Sequence, residues 1–311
     1  MKKNKILVIK LSALGDFILA LGAMSAIRKH HKGDKITILT TPAYKDLAEK
    51  SGYFDEVVVM KRAKFYEIGE WFNLIKFLNQ GGFSRVYDLQ CQDRTKIYYN
   101  LFFKKPEWAG VIKGAKFFYS NPEWRKMHAF KRMKEILKVA GIEDVPLPDL
   151  SWMKTDVSSL IEMNKIKKPF VIFIPGCSPE HPQKRWPALN YASLALKVMR
   201  DGYSVVLIGS RDDVDAIEKV KKICPAVIDL SEMTTIYDIY SLAQESSGIV
   251  GNDTGPGHIT ALSNRPMVSL FCSKISSATV SAPVGEHVSG LEAEDISEIP
   301  MNSVYKAFKP L

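Results

Sequence analysis

The chain alternates short apolar runs with longer segments of helical periodicity. Residues 5–10 (KILVIK) predict a buried strand, and residues 15–30 predict a helix whose last positions are Arg28, Lys29 and His30. The rest of the first half predicts strands at residues 35–40, 56–60 and 85–89, and helices at residues 66–79 and 123–140. This alternation from the N-terminus onward indicates an α/β domain.

The second half repeats the same pattern. It predicts strands at residues 170–174, 204–208, 226–230, 248–251 and 267–271, and helices at residues 187–201, 212–222, 235–246 and 256–263. Valine- and isoleucine-rich runs between helices indicate parallel sheets covered on both faces. Prolines and polar residues concentrate between residues 144 and 169, where we expect the interdomain linker.

The predicted fold is therefore α/β, with two doubly wound, Rossmann-like domains facing each other across a cleft. The first domain is expected over residues 1–150 and the second over residues 168–295, with residues 296–311 as a tail that packs back on the first domain. Ligands of such sheets bind beyond the carboxyl ends of the strands. Loops that follow strands are therefore the places to look for chemistry.

Charge is divided unevenly between the two halves. Residues 1–150 hold 27 lysines and arginines against 16 acidic residues, and the remainder holds 16 against 18, within a net charge of +9. A basic N-terminal half suggests an anionic partner such as a nucleic acid, an acidic membrane surface or a phosphorylated substrate. No nucleic-acid-binding module accompanies the charge, so nucleic acid is not the expected partner.

Cysteine usage and hydropathy narrow the class of protein further. The four cysteines form no CxxC pair and have no histidine cluster beside them, which disfavours a disulfide framework or a zinc site and fits a reducing compartment. Lys2, Lys3 and Lys5 precede an apolar stretch as in a signal peptide, but Lys10 and Asp16 interrupt it. No run approaches the roughly 18 apolar residues of a membrane span, so a soluble or peripheral protein is expected.

Two polar loops join strands to helices in the first half. The first is KLSALGD, residues 10–16, where Gly15 allows close backbone approach and Asp16 lies at the helix start. By itself this segment favours a plain helix cap. It lacks both GxGxxG and GxxxxGK[ST], so neither a dinucleotide fingerprint nor a P-loop is indicated. The second loop carries Asp88, Gln90 and Arg94 where an acceptor molecule could lie.

Two further loops in the second half predict an anion site. After the strand at 170–174 comes PGCSP followed by QKRWP, in which Lys184 and Arg185 precede a helix and could bind a diphosphate. After the strand at 248–251 comes NDTGPGH, where Thr254 can cap a helix that Pro256 starts. His258 in the first turn could reach the same anion.

Taken together and in this order, KLSALGD, PGCSP with QKRWP, and GNDTGPGH resemble glycosyltransferase family 9, which includes the lipopolysaccharide heptosyltransferases. DLQCQDR and WAGVIKGAKFFYSNP add to the resemblance, which covers nearly the whole chain. It implies a GT-B fold, with an acceptor domain followed by a donor domain. It also implies inversion at the anomeric carbon of an ADP-heptose-like donor, with no metal or other cofactor. The acceptor-side string QCQDRTK departs from the QGxxKS form of the better-known heptosyltransferases.

The resemblance also implies roles for single residues. Asp16 corresponds to the proposed catalytic base, and Lys184 to the lysine that contacts the donor phosphates. The other donor-binding positions that it implies are Ser178, Asp253, Thr254 and Gly255, with His258 beside them, and either Asp212 or Asp213, of which we choose Asp213, at the ribose. Asp88, Gln90 and Arg94 are the expected acceptor-binding residues.

The resulting hypothesis is a cytoplasmic sugar transferase that acts at the inner face of the inner membrane on an anionic glycolipid. A non-catalytic nucleotide- or glycan-binding protein on the same scaffold is the alternative. The presence of Asp16, Lys184 and Asp253 together favours the enzyme.

Overall fold

The structure, a computed structural model, describes residues 3–311; Met1 and Lys2, with which the first predicted domain begins, lie outside the described residues. The chain divides into two compact units, the first ending at Asp149 and the second beginning at Leu150. The boundary falls inside the segment predicted as the linker. Much of the rest of that segment, including a short helix, belongs to the second unit.

The first unit is a six-stranded parallel sheet with helices. Its strands are β1 (Lys5–Ile9), β2 (Lys35–Thr40), β3 (Glu56–Val59), β4 (Arg85–Asp88), β5 (Glu107–Gly110) and β6 (Phe117–Phe118). Its helices are α1 (Leu14–His30), α2 (Lys45–Lys50), α3 (Ile68–Gln80), α4 (Asp93–Leu101) and α5 (Ala129–Val139). The strand order is β3-β2-β1-β4-β5-β6.

The second unit has the same architecture. Its strands are β7 (Phe170–Ile174), β8 (Ser204–Leu207), β9 (Ile228–Asp229), β10 (Ile249–Asn252), β11 (Met267–Cys272) and β12 (Val288–Ala293). Its helices are α6 (Ser158–Met163), α7 (Ala188–Arg200), α8 (Val214–Ile223), α9 (Ile236–Glu245), α10 (Gly255–Thr260), α11 (Ala278–Ser281) and α12 (Met301–Ala307). The order β12-β11-β10-β7-β8-β9 is that of the first sheet read from its other edge.

Both sheets are doubly wound, as the sequence predicts. The direction of winding reverses between β1 and β4 in the first sheet and between β7 and β10 in the second. A sheet of this kind leaves a crevice at the carboxyl ends of those two strands, because the connecting helices diverge to opposite faces. The loops KLSALGD and DLQCQDR leave the sheet at the first reversal, and PGCSP and NDTGPGH leave it at the second.

Burial of the strands on both faces explains why their apolar sequences predict them. All five residues of β7 and all six of β11 are buried, which is why their sequences are nearly continuous apolar runs. The predicted helix over residues 123–140 is shorter than expected, because His128 caps a new helix there by accepting a hydrogen bond from the Phe130 N–H. A separate short turn at Trp124–Lys126 precedes it.

The C-terminal segment corrects one expectation. Residues 296–311 belong to the second unit, because Ile296, Ile299, Val304 and Phe308 are buried in its core. The Trp186 indole N–H also holds this segment, because it donates a hydrogen bond to the Ile299 carbonyl at 2.9 Å. The tail therefore completes the second unit.

Candidate functional site

The donor-side loops of the second unit are joined by one buried amide, that of Asn252 at the end of β10. Its Nδ2 donates to the carbonyls of Pro175 and Gly176 at 2.8 and 3.1 Å. Its Oδ1 accepts from the Trp186 N–H at 3.2 Å and from the Tyr191 hydroxyl at 3.0 Å. Asn252 thus fixes both ends of the loop that carries Lys184. Asn252 stands within the GNDTGPGH motif, but no pattern in the sequence indicates this role.

Lys184 and Asp253, both predicted donor-binding residues, lie in direct contact. The Lys184 Nζ is 2.6 Å from Asp253 Oδ2, and their side chains are 15% and 7% exposed. The Ser276 hydroxyl donates to the same oxygen at 2.7 Å, and His258 Nε2 lies 4.0 Å from Asp253 Oδ1. Ser276 was missed, because it follows β11 in a stretch with no motif.

This cluster has a clear electrostatic consequence. An opposite charge stabilises a half-buried ammonium, and the Asp253 carboxylate supplies that charge to Lys184. Because an ammonium has three N–H donors and the carboxylate takes one, Lys184 keeps donors for an anionic ligand. The Asp253 carboxylate therefore accepts hydrogen bonds from Lys184 and Ser276 and orients the Lys184 ammonium. It is not a free carboxylate for the ligand.

Thr254 and Gly255 occupy the start of α10 as predicted. The Thr254 hydroxyl accepts a hydrogen bond from the Gly257 N–H at 3.4 Å, which makes Thr254 the helix cap, and Pro256 stands in the first turn. Both Thr254 and Gly255 are half-buried, whereas His258 is buried. The predicted strand, turn and helix are therefore all present here.

Asp213 is placed near this loop, but its carboxylate is engaged by the protein. Oδ1 accepts from the Cys177 N–H at 3.0 Å, and Oδ2 accepts from the Ser210 N–H and hydroxyl at 2.9 and 2.8 Å. A Cβ on Gly176 would lie 2.1 Å from the Asp213 carboxyl carbon, so glycine is required for this close approach. Asp213 braces the loops after β7 and β8. Ser178, in contrast, is exposed.

Asp16 is half-buried in the first turn of α1, where the sequence placed it. Its Oδ2 lies 3.5 Å from the Ala13 N–H, so it also closes the helix start. Gln90 holds the preceding loop: its Oε1 accepts from the Leu11 and Ser12 N–H groups at 2.8 and 3.1 Å. Gln90 is only 3% exposed. Its amide oxygen therefore positions the Asp16 loop, a role that the acceptor-binding prediction did not include.

Asp88, another predicted acceptor-binding residue, is engaged by the protein backbone. The residue is 0% exposed, so its carboxyl has no surface to offer an acceptor. Instead Oδ1 accepts from the N–H groups of Gln90 and Cys91 at 3.1 and 2.9 Å, and supports the left-handed backbone of Cys91 (φ 50°). Burial raises the pKa of Asp88 to about 6, partly opposed by its hydrogen bonds and by Lys10.

Lys10 is a buried cation beneath the Asp16 loop that sequence reasoning did not single out. It is 3% exposed, and its Nζ donates to the Leu89 carbonyl at 3.4 Å. Burial lowers the pKa of Lys10, and the negative charges of Asp16 and Asp88 oppose that shift. Arg94, the third predicted acceptor residue, is half-buried and donates to the Ala63 carbonyl at 2.9 Å.

The fold and these loops define a two-domain α/β glycosyltransferase of the GT-B class. Glycosyltransferase family 9 (heptosyltransferase) matches residues 71–309 of the chain, which therefore belongs to that family. The chain is 26% identical to lipopolysaccharide heptosyltransferase 2 of Escherichia coli over 290 residues, which is 86% of this chain and 82% of that protein.

Solved structures agree on the fold. A family 9 glycosyltransferase from Veillonella parvula has a TM-score of 0.82 at 21% identity and covers 98% of this chain and 95% of its own. The E. coli ADP-heptose lipopolysaccharide heptosyltransferase II has a TM-score of 0.72 at 22% identity, with 97% of each chain covered. The predicted family, fold class and enzyme class are thus confirmed.

Residues 3–311 contain neither a membrane-spanning helix nor a metal-binding cluster. No helix in that range is both long and apolar enough to span a bilayer. Within the same residues, no three histidine, cysteine or acidic side chains are grouped so that they could hold a metal ion. All four cysteines are unpaired and buried.

Proposed function

We propose that this chain is an inverting glycosyltransferase that moves heptose, or a related sugar, from an ADP-heptose-like donor to the core of an anionic glycolipid. The observation that carries the proposal is the Lys184–Asp253–Ser276 cluster at the strand reversal of the second sheet. A half-buried ammonium that a carboxylate orients at that place suits a diphosphate. The solved E. coli relative named for ADP-heptose supports the choice of donor.

The acceptor side of the proposal depends on Asp16. Its carboxylate lies at the strand reversal of the first sheet, in a loop fixed by Gln90. In the proposed step, Asp16 takes the proton of an acceptor hydroxyl while that oxygen attacks the anomeric carbon. The bond from this carbon to the diphosphate breaks on the opposite face, and its electron pair leaves with the nucleotide, so the configuration inverts.

Each group has a calculable effect. General-base assistance is worth about 10²–10⁴-fold in rate. Lys184 and the helix start at Thr254–Gly255 would stabilise the charge that builds on the leaving diphosphate, which is usually the larger effect. Ser178, which is exposed, and His258 would lie beside the donor. Arg94 would lie beside the acceptor.

We further propose that the reaction takes place at the cytoplasmic face of the inner membrane, with no metal or other cofactor. The four free cysteines suit a reducing compartment. The first 150 residues hold 27 basic and 16 acidic side chains, and this excess of positive charge suits an anionic membrane surface.

Asp16→Asn tests the catalytic assignment. Transfer from ADP-heptose to a heptose-deficient lipopolysaccharide core should fall about 10²–10⁴-fold, while the affinity for ADP measured by calorimetry should stay within about twofold of wild type, which is roughly 0.4 kcal/mol. The matched control is Asp46→Asn, because Asp46 is an exposed acid of the same unit. Near wild-type turnover by Asp16→Asn would show that another group is the base.

Lys184→Gln tests the donor assignment. Loss of a charge-assisted contact should weaken ADP binding by about tenfold or more, whereas Lys219→Gln, at an exposed lysine of the same unit, should have no effect. A thermal-shift panel of ADP-, UDP- and GDP-sugars then identifies the nucleotide, since only a ligand of the folded state raises the melting temperature. ADP binding without any transfer by wild type would favour the alternative of a non-catalytic binding protein.

A further inference from the structure

Four large apolar side chains of the first unit project into solvent in one short segment. Phe65 is 86% exposed, Tyr66 73%, Ile68 77% and Phe72 65%. Single exposed apolar residues are ordinary on protein surfaces, but a cluster of this kind marks an interaction site. We call these four residues the aromatic patch.

Helical geometry explains why the patch faces away from the core. Ile68 and Phe72 are four residues apart in α3 and so lie on one face of the helix. Leu74 and Leu78, which are buried at 4% and 1% exposure, lie on a different face, about 120° around the helix. The helix therefore has one apolar face committed to the core and a second one that the rest of the unit leaves uncovered.

The backbone under the patch is firmly held. The Trp71 indole N–H donates to the Lys64 carbonyl at 3.0 Å, and Arg94 donates to the Ala63 carbonyl at 2.9 Å. Ala63 is only 5% exposed. The backbone is therefore anchored at two adjacent carbonyls immediately before Phe65 and Tyr66, which lowers the entropic cost of holding these side chains outward.

The patch is also connected to the loop that carries the proposed base. The Arg62 guanidinium donates to the Ser12 hydroxyl at 3.2 Å, and Ser12 stands four residues before Asp16. The segment that carries the aromatic patch therefore contacts the loop that carries Asp16.

Charges around the patch indicate the chemistry of its partner. Lys61, Arg62 and Lys64 precede it directly, and Lys64 Nζ lies 5.7 Å from the centre of the Tyr66 ring. Two acids are also nearby: Glu67 accepts from the Lys64 backbone N–H, and Glu70 lies 3.3 Å from Lys61 and offsets its charge. With three cations against these two acids, residues 61–72 keep a net positive charge. Aromatic side chains beside such cations are the composition of a segment that binds an anionic bilayer surface.

We propose that the aromatic patch inserts into the interfacial region of a bilayer containing anionic lipids, and that it thereby holds the Asp16 loop over membrane-embedded acceptors. A second copy of the chain is a poorer occupant, because it would bring one basic unit against another. The partner is thus a lipid surface. The role of the patch in holding acceptors rests on the proposed function, whereas binding of the patch to lipid can be measured without any sugar transfer.

The test is co-flotation of the purified full chain with vesicles of phosphatidylethanolamine and phosphatidylglycerol in a 3:1 ratio, compared with pure phosphatidylcholine. Wild type should float with the anionic vesicles and only weakly with the neutral ones. The double substitution Phe65→Ser/Phe72→Ser should lower the partition coefficient at least about tenfold. The matched control is Met163→Ser, which removes an apolar side chain that is 72% exposed in the second unit and should change nothing.

A second readout separates this inference from the proposed function. The double variant should transfer sugar to a deacylated, water-soluble core acceptor as wild type does, and should lose at least about tenfold with the acceptor embedded in vesicles. Its melting temperature should equal that of wild type, because both side chains are exposed. Unchanged flotation of the double variant would overturn the inference whether or not transfer occurs, and so would wild-type dimerisation through the patch in light scattering. Failure of wild type to transfer to either acceptor, with flotation as expected, would count against the proposed function alone.

Discussion

Replacing Asp213 by alanine should destabilise the second unit, because its carboxylate joins two loops. The carboxylate accepts three hydrogen bonds from Cys177 and Ser210 at 2.8–3.0 Å, and the side chain is 14% exposed. Hydrogen bonds to a charged group are worth about 1.5–3 kcal/mol each. The two from Ser210 are local and partly solvated, so we expect a total loss of about 2–4 kcal/mol.

The assay is thermal and urea unfolding of Asp213→Ala beside wild type. At about 2–4 °C per kcal/mol, the melting temperature should fall by roughly 4–16 °C. Asp215→Ala is the control, because that acid is 71% exposed and pairs with Lys219 at the surface, and surface pairs are worth about 0–1 kcal/mol. Donor affinity should also fall, because the braced loop leads into Lys184.

One outcome would refute the bracing argument. If Asp213→Ala unfolds at the wild-type midpoint and yet binds the donor weakly, Asp213 is a ribose ligand, as the sequence resemblance implies. The bracing argument would be supported if Asp213→Ala lost both stability and donor affinity and Asp213→Asn regained the affinity. The asparagine amide oxygen can still accept the hydrogen bond from the Cys177 N–H.

Two further predictions follow from buried polar groups. Asp88→Asn should gain stability relative to wild type as pH rises from about 4 to 7. The reason is that burial raises the folded-state pKa of Asp88 to about 6. As pH rises from the unfolded-state pKa to this value, the unfolded chain releases a proton that the folded wild type still holds. The wild type therefore loses up to about 3 kcal/mol of stability that the asparagine variant keeps. A difference in urea midpoint that is independent of pH would contradict this. Trp186→Phe removes the hydrogen bond to Ile299 and should cost about 1–3 kcal/mol. It should also speed proteolysis after Ile299, and unchanged protection would show that the tail is held by other contacts.

Much of the fold could be predicted from the sequence, because buried parallel strands leave a direct trace. Strands such as Phe170–Ile174 are covered on both faces, so every position must be apolar. Elements with weaker patterns were missed. β12 is half exposed, and the two-residue β6 is too short to show a period. The tail was also misplaced, since its few apolar residues do not say which core they enter.

The site divides in the same way. The sequence alone located Asp16, Lys184, Asp253 and Thr254 on loops after strands, because glycine, proline and capping residues have local conformational requirements. Only the tertiary structure decided what each carboxylate touches. Asp88 and Asp213 are spaced like ligand-binding acids, yet one is buried under its loop and the other braces two loops. A carboxylate's partners are set by residues distant in the chain, and no local pattern records them.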